Sequence, residues 1–298
     1  MEVSMKAGFL AAWPLVLGYF PVAVAFGLLG READLSPWEI QMVSLLVFAG
    51  ASQFALVGLV AQGTPPLLAA GLGLLLNLRH AFYGPALRPY LRGGPLEAFL
   101  LTDEVFALAL KTLPHLPEEE RRAHFLGLGL GAYLSWNLGT LLGSLGAEGL
   151  KGLSQAFGFA LPALFFLLAL PHLRNRVALL AGGGGPGPPP PGADRLGPGP
   201  GRGLGPSWEA AMTLAVLFLA LGTFLIRFLP WRKPGRLHLG QAGPALVVAL
   251  FLVSAFSPPP SWAWLKTLAT LGATYLAERL LRNLGLAVLV GMVLYALF

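Results

Sequence analysis

Asp103 and Glu104 stand side by side in the middle of an apolar run, LEAFLLTDEVFALALKTL, at residues 96–113. Adjacent carboxylates in hydrocarbon can bind a cationic group, or take up and release a proton. Gly93-Gly94-Pro95 precedes the run and Pro114 follows it, which is ordinary helix punctuation. The run therefore reads as one helix of 18 residues, long enough to cross a thinned or locally wetted bilayer. On insertion scales each central carboxylate costs roughly 2.5–3.5 kcal/mol, and each Leu, Phe or Val returns about 0.3–0.6. The pair costs about 5–7 kcal/mol against about 4 from its neighbours, so this helix needs partners or water at depth. A competing reading makes Thr102 an N-cap, with both acids in the first turn of a shorter helix beginning near the interface. The Pro95 start and the apolar Phe99-Leu100-Leu101 favour the longer helix.

Other polar side chains inside apolar runs are candidates for the same site. Ser52 and Gln53 lie in FAGASQF, Asn77, Arg79 and His80 in NLRH, and Asn137 beside Trp136. Each has a structural competitor. Gln53 and Asn137 could equally be interhelical hydrogen-bonding residues, and Arg79 could snorkel to the interface. The sharper reading makes Arg79 the counter-ion of Asp103 or Glu104, which removes much of the insertion cost. Lys111 is on the same face as Glu104 but about 10 Å along the helix, too far for a simple ion pair.

The elements that must position these groups are membrane helices. The chain has 298 residues, 55% of them hydrophobic and 11% charged, where a soluble domain carries about a quarter charged. The fold class expected is an all-α polytopic membrane protein of about ten transmembrane helices, several broken by Pro or Gly, in two modules. With no cysteine there is no disulfide framework, thiolate site or cysteine nucleophile. The net charge of +6 reports loop orientation and does not argue for nucleic acid. No cofactor and no metal are expected.

Span one covers residues 7–29, interrupted by Pro14 and by Gly18-Tyr19-Phe20-Pro21, and span two residues 40–61. Span three, residues 66–78, is short; it either continues through 80–87 or is a half-helix. Residues 111–124 read as a charged loop with a solvated Glu118–Arg122 cluster. Span five, residues 125–145, carries Gly127, Gly129, Gly131 and a Gly139-x-x-x-Gly143 pair, a close-packing pattern of membrane helices. Span six, residues 153–173, is broken by Pro162. Residues 182–206 are rich in Gly and Pro and cannot span. Four further apolar runs follow at 208–229, 241–256, 262–280 and 283–298, with Arg227 read as snorkelling.

Counting loop charges exposes a missing crossing. A cytoplasmic N-terminus puts Lys6, Lys111, Arg121, Arg122, Arg174 and Arg176 inside and Arg31, Arg79, Arg88, Arg92 and Lys151 outside, a weak preference. The basic loops at 232–236 and 279–282 also want to be inside, so the run from Trp208 should start outside, whereas six spans deliver the linker inside. Residues 182–206 are either the out-of-frame reading of a segment that once encoded another apolar helix, or a flexible fusion linker. Translating the gene in its other two frames separates these.

Six stretches together, GYFPVAVAFG, VFAGASQF, NLRHAFYG, LTDEVFAL, WNLGTLLG and GFALPALFF, make residues 7–176 resemble the large subunit of the AzlC–AzlD branched-chain amino acid permeases. LGTFLIRFLP and four apolar runs make residues 212–298 resemble the small subunit. Large subunits of that family usually carry a further span at their end, in keeping with the charge count. The resemblance implies a large-subunit module at 1–176, a linker at 177–207 and a small-subunit module at 208–298. It also implies export of branched-chain amino acids, methionine or analogues, driven by the proton gradient, in the cell (inner) membrane.

A zwitterionic amino acid needs an anionic and a cationic partner at depth and an apolar pocket. Asp103 or Glu104 is the candidate for the ammonium or the coupling proton, and Arg79 for the carboxylate or as balance for an acid. Ser52, Gln53, Asn77 and Asn137 would supply neutral hydrogen bonds. The partners expected are the amino acid, a proton, the bilayer, contact between the two modules and a homo-oligomer. Competing functions are an uptake permease, a passive channel, and an intramembrane enzyme using His80, Asp103 and Glu104.

Overall fold

The computed structural model describes residues 2–150, 159, 163, 166, 206–232, 262–281 and 284–297. Among them every regular element is helical. Expectations for span six, for residues 182–205 and their reading frame, and for the run at 241–256 lie outside the described residues.

The first apolar run becomes α1 (Glu2–Ala11) and α2 (Trp13–Glu32), separated at Ala12, with Pro14 at the start of α2 where its missing N–H costs nothing. The second expected interruption does not occur, because α2 runs unbroken through Pro21. Membrane helices tolerate such a proline when neighbours help satisfy freed carbonyls. Here Ser135 donates to the Val16 carbonyl at 2.9 Å, one residue before the carbonyl that Pro21 leaves free.

Span two is two helices rather than one. α3 (Pro37–Val47) opens with a capping box between Ser36 and Glu39 and ends at Phe48, whose backbone is left-handed (φ 42°, ψ 53°). After Ala49, α4 (Gly50–Ala61) begins. α5 (Pro66–Asn77) tightens into a 3₁₀ turn (Leu78–Phe82) and then α6 (Tyr83–Leu87), so span three is a short helix with a wound-down continuation.

The run holding the acids is also split. α7 (Pro95–Leu100) starts at the expected proline, but Leu101 and Thr102 leave the helix and α8 (Asp103–Thr112) starts afresh. The single-helix expectation fails at Thr102, the N-cap of the competing reading, whose Oγ1 accepts from the Val105 N–H at 3.4 Å. Both acids sit in the first turn of α8, where the helix dipole favours negative charge.

The charged loop expected at 111–124 is largely helix. A 3₁₀ turn (Leu113–His115) leads into α9 (Glu118–Leu145), whose first turn is Glu118-Glu119-Glu120. Three acids at a helix N-terminus are stabilising rather than loop-forming. Gly127, Gly139 and Gly143 of α9 face α1 and α2 so closely that a Cβ there would overlap the carbonyls of Met5, Phe20 and Val24, respectively. The paired numbers rise together, so α9 runs parallel to α1 and α2. A short α10 (Ala147–Leu150) follows.

Beyond the linker, α11 (Pro206–Arg232) lies along α3, α5, α6 and α7. Gly73 receives Leu219, Gly222 receives Leu74, and Trp231 covers Gly84 and Gly93. α12 (Trp262–Leu281) and α13 (Leu284–Leu297) pack on each other, and α13 also touches α2. Three described helices, α2, α9 and α11, are long and apolar enough to cross a membrane.

Candidate functional site

Three irregular segments meet in the interior: Phe48-Ala49, residues 78–82, and Leu101-Thr102. Each frees backbone groups that a continuous helix would satisfy, and the polar side chains picked out by sequence gather around them.

Arg79, almost fully buried, grips Asp103 with two parallel bonds, Nε to Oδ1 at 2.7 Å and Nη2 to Oδ2 at 2.8 Å. Its Nη1 donates to the Leu76 carbonyl at 2.9 Å. The guanidinium therefore does not snorkel, because its planar fork is matched by a carboxylate in the interior. Tyr83 donates to Asp103 Oδ1, and His80 Nε2 stands 3.6 Å from Oδ2. Asp103 thus has three side-chain neighbours, and its side chain keeps 20% exposure.

Glu104 faces the other way. It accepts from the Tyr19 hydroxyl, which also lies 2.7 Å from Thr102 Oγ1. The Tyr19 ring stands edge-on to Trp136 and Phe48. Among the described residues the ion pairs at this pair of acids go to Asp103 and not to Glu104.

Gln53 and Ser52 stitch the break between α3 and α4. Gln53 Oε1 accepts from the Ala49 N–H at 3.0 Å while its Nε2 donates to Ser44 Oγ at 3.0 Å. Ser52 Oγ donates to the Ala49 carbonyl at 2.9 Å and accepts from Asn77 Nδ2 at 2.9 Å. Asn77 Nδ2 also reaches Thr223 of α11 at 2.7 Å. Asn137 stands apart, accepting from Gln41 at 3.0 Å and donating to the Tyr133 carbonyl at 2.9 Å, the interhelical arrangement named as its competitor. Buried polar atoms without a hydrogen bond among the described residues include Asn77 Oδ1, His80 Nε2 and Trp136 Nε1. No three His, Cys, Asp or Glu side chains of the described residues converge on a point that would suit a metal.

Sequence reading missed Tyr19, Tyr83 and Arg227. Arg227, taken as snorkelling, is only 1% exposed, and its donors go to Phe48 O, Phe99 O and His80. It sits within an apolar run, so the insertion-cost argument applied to Asp103 flags it equally. Neither tyrosine carries such a signal, since tyrosine is ordinary in apolar helices.

Charged and amide side chains gathered at helix breaks, between long apolar helices, define an all-helical membrane protein with a polar interior. Residues 14–150 match the family described as AzlC protein, and the chain belongs to it. It is 41% identical over 180 residues to an uncharacterized membrane protein of Archaeoglobus fulgidus, covering 59% of this chain and 78% of that relative. Against the inner membrane protein YgaZ of Escherichia coli the identity is 38% over 168 residues, covering 52% and 69%. The branched-chain amino acid transport protein AzlC of Bacillus subtilis is 24% identical over 170 residues, covering 55% and 66%. No solved structure matches the chain.

Proposed function

We propose that this protein is a transporter that exports branched-chain amino acids, with methionine or close analogues as further substrates, in exchange for protons. Residues 208–298 act in this reading as a small-subunit module of AzlD type, in contact with the AzlC-type module before it. The observation that carries it is the division of labour between the adjacent acids. Asp103 is committed to Arg79, Tyr83 and the neighbourhood of His80, whereas Glu104 has a neutral hydroxyl partner, Tyr19. A carboxyl free of a fixed counter-ion is suited to alternate between binding a proton and binding an ammonium group. The name of the Bacillus subtilis relative supports the substrate class.

In this assignment Glu104 carries the coupling proton or meets the substrate ammonium, and Arg79 with Asp103 forms the fixed charged wall beside it. Asn77 Oδ1 and Trp136 Nε1, without a hydrogen bond among the described residues, supply a buried acceptor and donor, while Phe48, Phe99 and Tyr133 offer apolar surface to a branched side chain. Gln53 and Ser52 hold the α3–α4 break in place, and Asn137 holds α9 to α3.

Glu104→Gln keeps the shape and the Tyr19 contact but cannot change charge. Vesicles holding this variant should lose pH-gradient-driven leucine flux while retaining leucine–leucine exchange. Labelled leucine, isoleucine, valine and methionine in inside-out vesicles, with and without the gradient, provide the measurement. Full gradient-driven flux in Glu104→Gln would refute the assignment, and flux that never saturates would favour a passive channel.

A further inference from the structure

Arg227 is a buried cation whose donors, among the described residues, go to no carboxylate. Its Nη1 donates to the Phe99 carbonyl at 2.8 Å, its Nη2 to the Phe48 carbonyl at 2.9 Å, and its Nε lies 3.3 Å from His80 Nδ1. Phe48 caps the C-terminus of α3 and Phe99 lies in the last turn of α7, so both carbonyls are among those that a helix end leaves without an intrahelical partner. One guanidinium thereby joins both breaks. The residue comes from α11, outside the residues that match the AzlC family, so the breaks are closed by a part of the chain far away in sequence.

The third contact has a chemical consequence. A guanidinium can only donate, so the nitrogen it faces must offer a lone pair. Neutral imidazole carries one proton, and with Nδ1 bare that proton is on Nε2. Nε2 points toward Asp103 Oδ2 at 3.6 Å. The other groups around the ring are Arg79, its neighbour in the 3₁₀ turn, and Tyr83, whose ring centroid is 5.3 Å away. We propose that Arg227 is a positioning residue of the site: it pins the two interrupted helices at one point and holds His80 as the tautomer that presents Nε2–H to Asp103. The charged wall beside Glu104 is then set from α11, and lysine cannot substitute for the planar three-way fork. The consequence for flux rests on the transport reading above; the tautomer does not.

Solid-state NMR of the full chain in lipid bilayers, labelled with ¹⁵N-histidine, reads the proton position directly, with the His80 signals assigned from their loss in His80→Gln. Near neutral pH the wild-type protein should show a bare Nδ1 and a protonated Nε2 at His80. Arg227→Lys should protonate Nδ1 or mix the tautomers and lower maximal leucine flux about tenfold, while Arg88→Lys, in the 83–94 segment, changes neither. A wild-type His80 with its proton on Nδ1 would overturn the proposal without recourse to any variant. So would a bare Nδ1 in Arg227→Lys, or a changed tautomer with flux unaltered, which would leave Arg227 a structural cap. A wild-type protein that carries no branched-chain amino acid yet shows the stated tautomer, sensitive to Arg227→Lys, would fell the transport reading and sustain the positioning of His80.

Discussion

Asp103→Asn is expected to destabilise the protein more than Arg79→Gln, although both break the same bidentate pair. Removing one partner of a buried pair typically costs about 3–5 kcal/mol, because the other charge is left uncompensated. The two remainders differ. In Arg79→Gln the carboxylate keeps Tyr83 and the neighbourhood of His80, and it can shed its charge by taking a proton. In Asp103→Asn the guanidinium cannot be deprotonated and keeps only neutral acceptors, the Leu76 carbonyl and one amide oxygen. The double replacement should recover most of the loss, since a neutral pair of similar shape leaves no lone charge. Thermal unfolding of the four proteins in detergent gives the cycle. Equal single losses that simply add would show that the pair is not coupled and that the wall proposed beside Glu104 has no energetic basis.

Gly143→Val is expected to destabilise the packing of α9 on α2 strongly. Its Cβ would enter the Val24 carbonyl, and on the facing helix a Cβ at Gly27 would come 2.5 Å from the Thr140 carbonyl. Backbone cannot move aside as a flexible side chain can, so α2 and α9 must separate along their length. Overpacking of this kind costs about 1–3 kcal/mol and sometimes more, and separating α2 from α9 also removes the Ser135–Val16 hydrogen bond. Gly58→Ala is the internal control. Among the described residues nothing lies within 4 Å of a Cβ there, and alanine gains up to about 1 kcal/mol of helix propensity. The unfolding midpoint should fall sharply in the first variant and hold or rise in the second. A midpoint unchanged in Gly143→Val would mean that α2 and α9 are not packed backbone to backbone.

Proline punctuation was legible in the sequence. α5 and α7 begin at the expected Pro66 and Pro95, since the ring forbids the preceding turn and suits the first helical position; α3 begins at Pro37, three residues before the expected start of span two. The small residues of α9 were legible too, because only glycine permits such close approach. The interruption at Phe48 was not, and that at Leu101-Thr102 was legible only as the competing reading with Thr102 as N-cap. FAGASQF and FLLTDEV carry no proline, and helix propensity alone would run through both. They stop because partners elsewhere accept the broken ends: Gln53 and Ser52 locally, and Tyr19, Asn77 and Arg227 from other helices.

By itself, then, the order of residues determined that this is an all-helical membrane protein and which polar side chains must be kept from lipid. That follows from composition and from the cost of a charge in hydrocarbon, both properties of single residues. Only the tertiary structure decided that Arg79 belongs to Asp103 rather than Glu104, that Asn137 is spent between helices, and that Arg227 lies at the centre instead of the rim. Each of these is a choice among partners of equal chemical merit, 24 to 179 residues apart in the chain. Distance between helices, and not residue type, makes that choice.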